Sequence, residues 1–409
     1  VKAGWTTKPL DEACTFINGL WKGEKAPLKM VGVIRNTNFT KDGTLDDSDI
    51  AFIEVEAKKF EKRKLSPGDI ILEKSGGGPK QPVGRVVLFD KSEGDYSFSN
   101  FTAAIRVKSA SEVDSRFLQK FLHWTYLSGV TEGMQSNSTG IRNLDGDRYK
   151  AIQISYPGIE EQRRIVTLLD EAFVDIATAK ANAEKNLQNA EALFQSQLTT
   201  LFNRRTKNVT HTTLGQATGG IFTGPFGSLL HKQDYIENGI PLVNPAHISQ
   251  NGIEPDYRKT VSGETAKRLA NYIMRTGDIV IGRRGEMGRC ALVTDAEDGW
   301  LCGTGSFFIK PSSRCDAGYL VHLLRSDQCK QQLENIAGGA VMPNLSNTDL
   351  SNFALELPPV EDQKQIVAEI EEAKESVERL KSIYRQKLTA LDDLKKSLLH
   401  QAFSGQLTQ

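Results

Sequence analysis

Three arginines stand close together in Gly282-Arg283-Arg284-Gly285-Glu286-Met287-Gly288-Arg289. Glycines let a backbone approach a ligand closely, and arginine forks match phosphate oxygens and base edges. Lys74, Lys80 and Arg85 form a comparable set around Gly76-Gly77-Gly78 and Gly84. A hairpin loop with solvated charges is the plain alternative, and the recurrence of the pattern in both halves is the argument for a binding role. A second pair of segments, 136–143 and 337–344, holds Thr139, Arg142 and Asn344 among small polar residues suited to hydrogen-bonding a base edge. Asn143 and Asn344 equally suit turn capping. Arg35 and Asn36 in Arg35-Asn36-Thr37-Asn38, and Thr223 and Ser228 in Thr223-Gly224-Pro225-Phe226-Gly227-Ser228, are further candidates in exposed loops.

Signatures of catalysis are missing. The chain has no G-x-x-x-x-G-K-[ST], H-E-x-x-H or G-x-S-x-G, and no Asn/Asp-Pro-Pro-aromatic run. Asp69, Glu73 and Lys74 lack nuclease spacing; Asp69 and Asp278 read as turn residues before buried strands. Six histidines are scattered without metal-ligand spacing, and five cysteines include no C-x-x-C pair. Reduced thiols in a cytoplasmic protein, with no metal and no catalytic residue on this chain, are the expectation. Lys+Arg and Asp+Glu are both 51, so net charge offers no argument for an anionic partner. Residues 1–155 nevertheless carry +3 while the segments 156–206 and 355–409 carry −1 and −2, which points weakly to the globular parts if an anion is bound. No apolar run reaches the roughly 20 residues of a membrane helix, and the first residues have no signal-peptide character.

The elements that must position these residues are legible from glycine and proline. Together they number 49 of 409, yet 160–202 and 360–403 contain neither. Both stretches repeat apolar residues every three or four positions: Ile165, Leu169, Ile176 and Leu187 in the first; Ile366, Ile370, Val377, Leu380 and Leu391 in the second, continued by Leu394 and Leu398. That is a coiled-coil seam. A helix of this length spans roughly 65 Å, too long for a domain of about 150 residues, so each must project and pair, most simply with the other. Antiparallel pairing follows from the short connections.

The chain is also duplicated. Pro157, Gln162, Ile165 and Val166 recur as Pro358, Gln363, Ile366 and Val367 at an offset of 201, as do Asn143-Leu144 in Asn344-Leu345. Gly68-Asp69-Ile70-Ile71 recurs as Gly277-Asp278-Ile279-Val280 at 209. A period near 200 residues marks a duplicated module rather than a solenoid. The expected order is globular 1–155, helix 156–206, globular 207–355 and helix 356–409, an α+β fold with two similar α/β domains, helices near 115–128 and 317–336, and pseudo-twofold symmetry.

These features resemble the DNA-specificity subunit of type I restriction-modification systems. The resemblance rests on the duplicated Pro-x-x-x-x-Gln-x-x-Ile helix starts, the two long helices, the C-terminal Leu398-Leu399-His400-Gln401-Ala402-Phe403-Ser404-Gly405, and Ile240-Pro241-Leu242-Val243 and Gly277–Ile281 in the second half. It implies two target recognition domains that each read half of a split double-stranded DNA site. It implies a helical spacer that docks two modification (methyltransferase) subunits. S-adenosylmethionine, ATP and Mg would reside on those and on restriction/translocase subunits, with none on this chain. A coiled-coil scaffold spacing two protein-binding domains, or a recognition fragment of a fused restriction enzyme, are the alternatives.

Overall fold

The computed structural model describes every residue except 1–3, 21, 22, 24, 79, 80, 139, 205–207, 227, 228, 338–343, 408 and 409. The chain divides into two compact units. The first comprises 1–185 with 384–409, and the second 186–383. Each long helix contributes to both.

In the first unit a four-stranded antiparallel sheet runs Cys14–Asn18, Thr102–Val107, Asp69–Glu73, Val86–Phe89. Strand Asp69–Glu73 is buried along its whole length because both faces are covered. Ile70, Leu72 and Ile105 pack on helix Ser115–Leu127 through Phe117, Leu118 and Leu122. Ile71, Val87 and Ala104, on the opposite face by strand alternation, pack on Ile34 and Phe98 of a second sheet. That sheet is built from Ala51–Glu56, Leu28–Ile34 and Tyr96–Phe98.

The second unit repeats this plan: Gly220–Thr223, Ser306–Lys310, Ile279–Gly282 and Cys290–Leu292 in the same order. Ile279, Ile281 and Phe307 face helix Ala317–Arg325. Val280, Phe308 and Ala291 face Val243 on the other side. The helix expected over 317–336 is two helices, Ala317–Arg325 and Asp327–Ile336. The extended backbone at Ser326 ends the first, and its hydroxyl caps the second by accepting from Cys329 N–H at 3.3 Å.

The helix starts explain the repeated glutamine. Gln162 and Gln363 are both fully buried. Gln162 Oε1 accepts from Asp114 N–H at 2.9 Å, and its Nε2 donates to the carbonyls of Glu112 and Pro157, each at 2.8 Å. Gln363 does the same with Asp316 N–H at 2.8 Å and the carbonyls of Arg314 and Pro358 at 3.1 and 2.8 Å. Asp114 and Asp316 are themselves the N-caps of the helices that follow them. One amide therefore ties a long helix to a helix of the globular part, which needs both an acceptor and two donors.

The long helices are Ile159–Phe202 and Val360–Ser404, and they pair antiparallel within each unit. In the first, Ile165 and Leu169 pack with Leu399, Ala402 and Phe403, and Lys180 pairs with Asp392 at 2.7 Å. In the second, Leu201 packs with Ile366 and Ile370, while Glu191–Lys381 and Arg204–Glu369 close at 2.5 and 2.6 Å. Of the expected seam, Ile165, Leu169, Ile176, Ile366, Ile370 and Val377 are buried, and Leu187, Leu380 and Leu391 are half-buried.

Leu394 corrects that expectation: it is 46% exposed. Lys395 takes the inward step, its ammonium 5.0 Å from the Phe173 ring centre and 2.6 Å from Asp42. A lysine stem covers apolar surface while its head finds charge, which hydropathy periodicity does not register.

Candidate nucleic-acid interface

In each unit, three segments distant in sequence meet at the end of the main sheet. The first is the loop after the strand that starts at Asp69 or Ile279. In the first unit Lys74 N–H donates to the Phe101 carbonyl at 3.0 Å, and the Lys74 carbonyl accepts from Leu144 N–H at 2.8 Å. In the second, Arg283 N–H donates to the Gly305 carbonyl at 3.0 Å, and its carbonyl accepts from Leu345 N–H at 2.9 Å. Lys74 and Arg283 are thus equivalent positions, as are Ser75 and Arg284. Ser75 Oγ donates to Asn143 Oδ1 at 2.6 Å, and Arg284 Nε donates to Asn344 Oδ1 at 3.3 Å. The two cationic loops and the two pre-helix segments, separate patterns in the sequence, are one site in each unit.

Several expected residues belong to these sites. Arg142 lies on the strand Ile141–Leu144 beside Gly77, with Nη1 3.4 Å from Gln135 Oε1. Lys74 Nζ donates to Asn18 Oδ1 at 2.9 Å, and partial burial lowers its pKa. Arg283 stacks over Phe307, 5.4 Å to the ring centre; burial first and Arg284 second lower its pKa. Its Nε is buried without a protein partner, as is Arg35 Nε. Such groups carry a desolvation cost that a ligand acceptor relieves. Arg284 is exposed. Thr223 lies on the sheet edge, its hydroxyl accepting from Asn347 Nδ2 at 3.3 Å, one residue before Gly224, which bonds the Ser306 carbonyl. Lys80, Thr139 and Ser228 lie outside the described residues.

Arg85 and Arg289 are placed differently from the expectation that they face a ligand. Arg85 forks onto Glu73 at 2.7 and 2.8 Å, and donates to the carbonyls of Phe39 and Asn36 at 2.9 and 3.0 Å. Glu73 is 1% exposed. Arg289 donates to Glu286 at 2.7 Å and to the Pro245 carbonyl at 3.3 Å. Arg85 is turned inward onto a buried carboxylate, whereas Arg289, itself partly exposed, is tied to the exposed Glu286 of its own loop. Arg35 is partly tied as well, its Nη2 reaching the Asp49 carbonyl and carboxylate at 2.8 and 3.0 Å. Asn36 Nδ2 lies 3.3 Å from Glu73 Oε1.

The sequence reading missed the short turn Pro245–His247, the counterpart of Asn36–Asn38. No residue identity marks it: Arg35-Asn36-Thr37-Asn38 and Asn244-Pro245-Ala246-His247 differ at every position at the offset of 209, and only their shared 3-10 turn relates them.

Asp69 and Asp278 are turn residues, accepting from Ser66 and Arg275 N–H at 2.8 and 2.9 Å. All five cysteines are free and buried, and burial pushes Cys290 up to about 11 and Cys14 up to about 12, far from a neutral-pH nucleophile. Among the described residues no cluster of three His, Cys, Asp or Glu could hold a metal, and no helix is long and apolar enough to cross a membrane.

Comparison with known proteins accords with this duplicated architecture. The family model for the type I restriction modification DNA specificity domain matches residues 2–187 and again 220–386. The chain is 23% identical to the StySPI specificity subunit of Salmonella potsdam and 24% identical to the EcoKI specificity subunit of Escherichia coli K12, covering 99% of this chain and 89% of each relative. Its fold is similar to a chain from a structure of type I R-M complex assembly and conformational transition (TM-score 0.77, 20% identity, 99% of both chains). It is also similar to the HsdS subunit from Thermoanaerobacter tengcongensis (TM-score 0.67, 18% identity, 100% of this chain and 98% of that one). The chain belongs to the type I restriction-modification DNA specificity family, the non-catalytic subunits that bind DNA sequence-specifically and dock methyltransferase subunits.

Proposed function

We propose that residues 1–155 and 207–355 are target recognition domains that each read one half of an asymmetric, bipartite DNA site. The segments 156–206 and 356–409 form the spacer that separates them with pseudo-twofold symmetry. Two modification subunits dock on this frame and supply S-adenosylmethionine and methyl transfer; restriction subunits add ATP- and Mg-dependent translocation and cleavage, all in the cytoplasm. One observation carries this reading. Both units bring the same three segments to the same end of the same sheet, yet fill equivalent positions with different side chains: Lys74 and Ser75 in one, Arg283 and Arg284 in the other. A shared frame suits the shared duplex backbone, and unlike side chains suit unlike half-sites.

The test is genome-wide adenine-methylation sequencing in cells expressing this chain with its modification subunit. A new split motif that depends on this chain is expected, and replacing residues 1–155 by another recognition domain changes one half only. No new motif, beside a modification subunit shown to be active with another specificity chain, refutes the reading.

A further inference from the structure

Arg85 and Arg289 have like targets. In the first unit the short 3-10 turn Asn36–Asn38 lies against the reading loop; in the second the turn is Pro245–His247. Arg85 and Arg289 each stand immediately before the returning strand, and each donates to the carbonyl of the turn's first residue, Asn36 or Pro245. Each is braced by a carboxylate, Glu73 or Glu286. The glycines before them, Gly84 and Gly288, take φ of +112° and +72°. A Cβ at Gly288 would approach the Leu324 carbonyl oxygen to 2.4 Å, so the chain turns there only with glycine. The third residue of each turn reaches back to its start: Asn38 Oδ1 accepts from Arg35 N–H at 2.9 Å, and His247 Nδ1 lies 2.9 Å from the Leu242 carbonyl oxygen and 3.3 Å from Asn244 N.

The carboxylate sits at different chain positions. Gly282 occupies the place of Glu73, and a Cβ there would make a tight 3.1 Å contact with the Pro245 ring. Glu286 of the loop supplies the charge instead.

What the clamp holds differs between the units. The first presents Asn36 and Thr37, an amide and a hydroxyl; the second presents Pro245 and Ala246, a ring and a methyl, with Thr37 and Ala246 both exposed. Both tips adjoin the reading loop. Asn36 Nδ2 lies 2.8 Å from where a Cβ of Gly76 would stand. Pro245 packs on Gly282 and Gly305, the neighbours of Arg283.

We propose that these two turns are specificity-determining tips, and that Arg85 and Arg289 are the positioning residues that aim them. Asn36-Thr37 hydrogen-bonds a base edge in one half-site. Pro245-Ala246 makes apolar contact with a thymine 5-methyl group in the other. The proposal rests on the DNA-reading function above, so the wild-type motif is established first; its absence overturns that function, whereas the outcomes below concern the tips alone.

The full chain with its modification subunit is compared with N36P/T37A, which places the second unit's tip on the first unit's clamp. One or two neighbouring bases of one half-motif are expected to relax or change, with roughly 5- to 100-fold lost discrimination there, and the other half-motif is expected to stay as in wild type. Should N36P/T37A not accumulate folded, Asn36→Ala, which gives up the 3.3 Å contact to Glu73 but leaves the Arg85 fork on that carboxylate, carries the same expectation. Arg85→Lys keeps the charge but not the fork, and its degeneracy should fall on those same bases, which a general loss of folding would not select. In the other half-site, replacing each thymine by deoxyuridine should weaken wild-type binding at one position and leave Ala246→Gly indifferent there. Unchanged half-motifs in the tip variants, or no thymine methyl coupled to Ala246, overturn the proposal.

Discussion

Gln162→Ala tests the reasoning behind the duplicated helix starts. The buried amide makes three hydrogen bonds, of 2.9, 2.8 and 2.8 Å, to Asp114 N–H and the carbonyls of Glu112 and Pro157. Truncation leaves one donor and two acceptors without their partner, at about 1 kcal/mol each for the net bond and more where water cannot enter. The expected cost is about 3 kcal/mol. For a unit of this size, spanning 1–185 and 384–409, each kcal/mol lowers Tm by about 2–4 °C, so calorimetry should show a drop of about 6–12 °C in the transition that reports this unit. Gln363→Ala is an internal replicate and should lower the other unit's transition comparably, because its amide makes the same three bonds. Gln162→Glu should be worse than Gln162→Ala at neutral pH: a buried carboxylate keeps the acceptor for Asp114 but faces two carbonyl oxygens it cannot donate to. A drop below about 2 °C in both alanine variants, or a milder effect of Gln162→Glu, would show that the repeated glutamine is not the tie it is taken to be.

Buried His123 has both ring nitrogens unpaired, and burial lowers its pKa from 6.5 to about 4. Above pH 6.5 both folded and unfolded forms are neutral; below it the unfolded chain binds the proton first, so stability falls by about 3 kcal/mol between pH 6.5 and 4, and His123→Phe should flatten that slope in pH-dependent denaturant melts. Ile370→Ala, at a fully buried seam position, should cost about 2–5 kcal/mol in the transition of its own unit, and an unchanged melt there would contradict the packing of Ile370 against Leu201. Arg283→Ala or Arg284→Ala should relax one half-site by about 1–3 kcal/mol in competition binding against mismatched duplexes; equal weakening on every sequence would instead make these arginines phosphate contacts.

The amino-acid sequence by itself determined what depends on local pattern. Scarcity of glycine and proline with three-four apolar spacing located both long helices to within a residue or two of Ile159–Phe202 and Val360–Ser404, because helix formation is governed by short-range propensity and by one buried face. The offset of 201 located the helix starts, because Gln162 and Gln363 act through neighbours that recur at nearly the same offset. Tertiary structure decided what depends on partners remote in the chain. Lys74 and Arg85 read alike as cations in a glycine-rich loop, yet the buried Glu73 turns Arg85 inward. Leu394 and Lys395 read as seam and surface, yet Phe173 and Asp42 reverse them. Asn344 meets Arg284 only because the chain returns to it 60 residues later in a β-bridge. Whether a polar side chain can reach a ligand depends on which groups already satisfy it, and for these residues those groups come from segments that only the folded chain brings together.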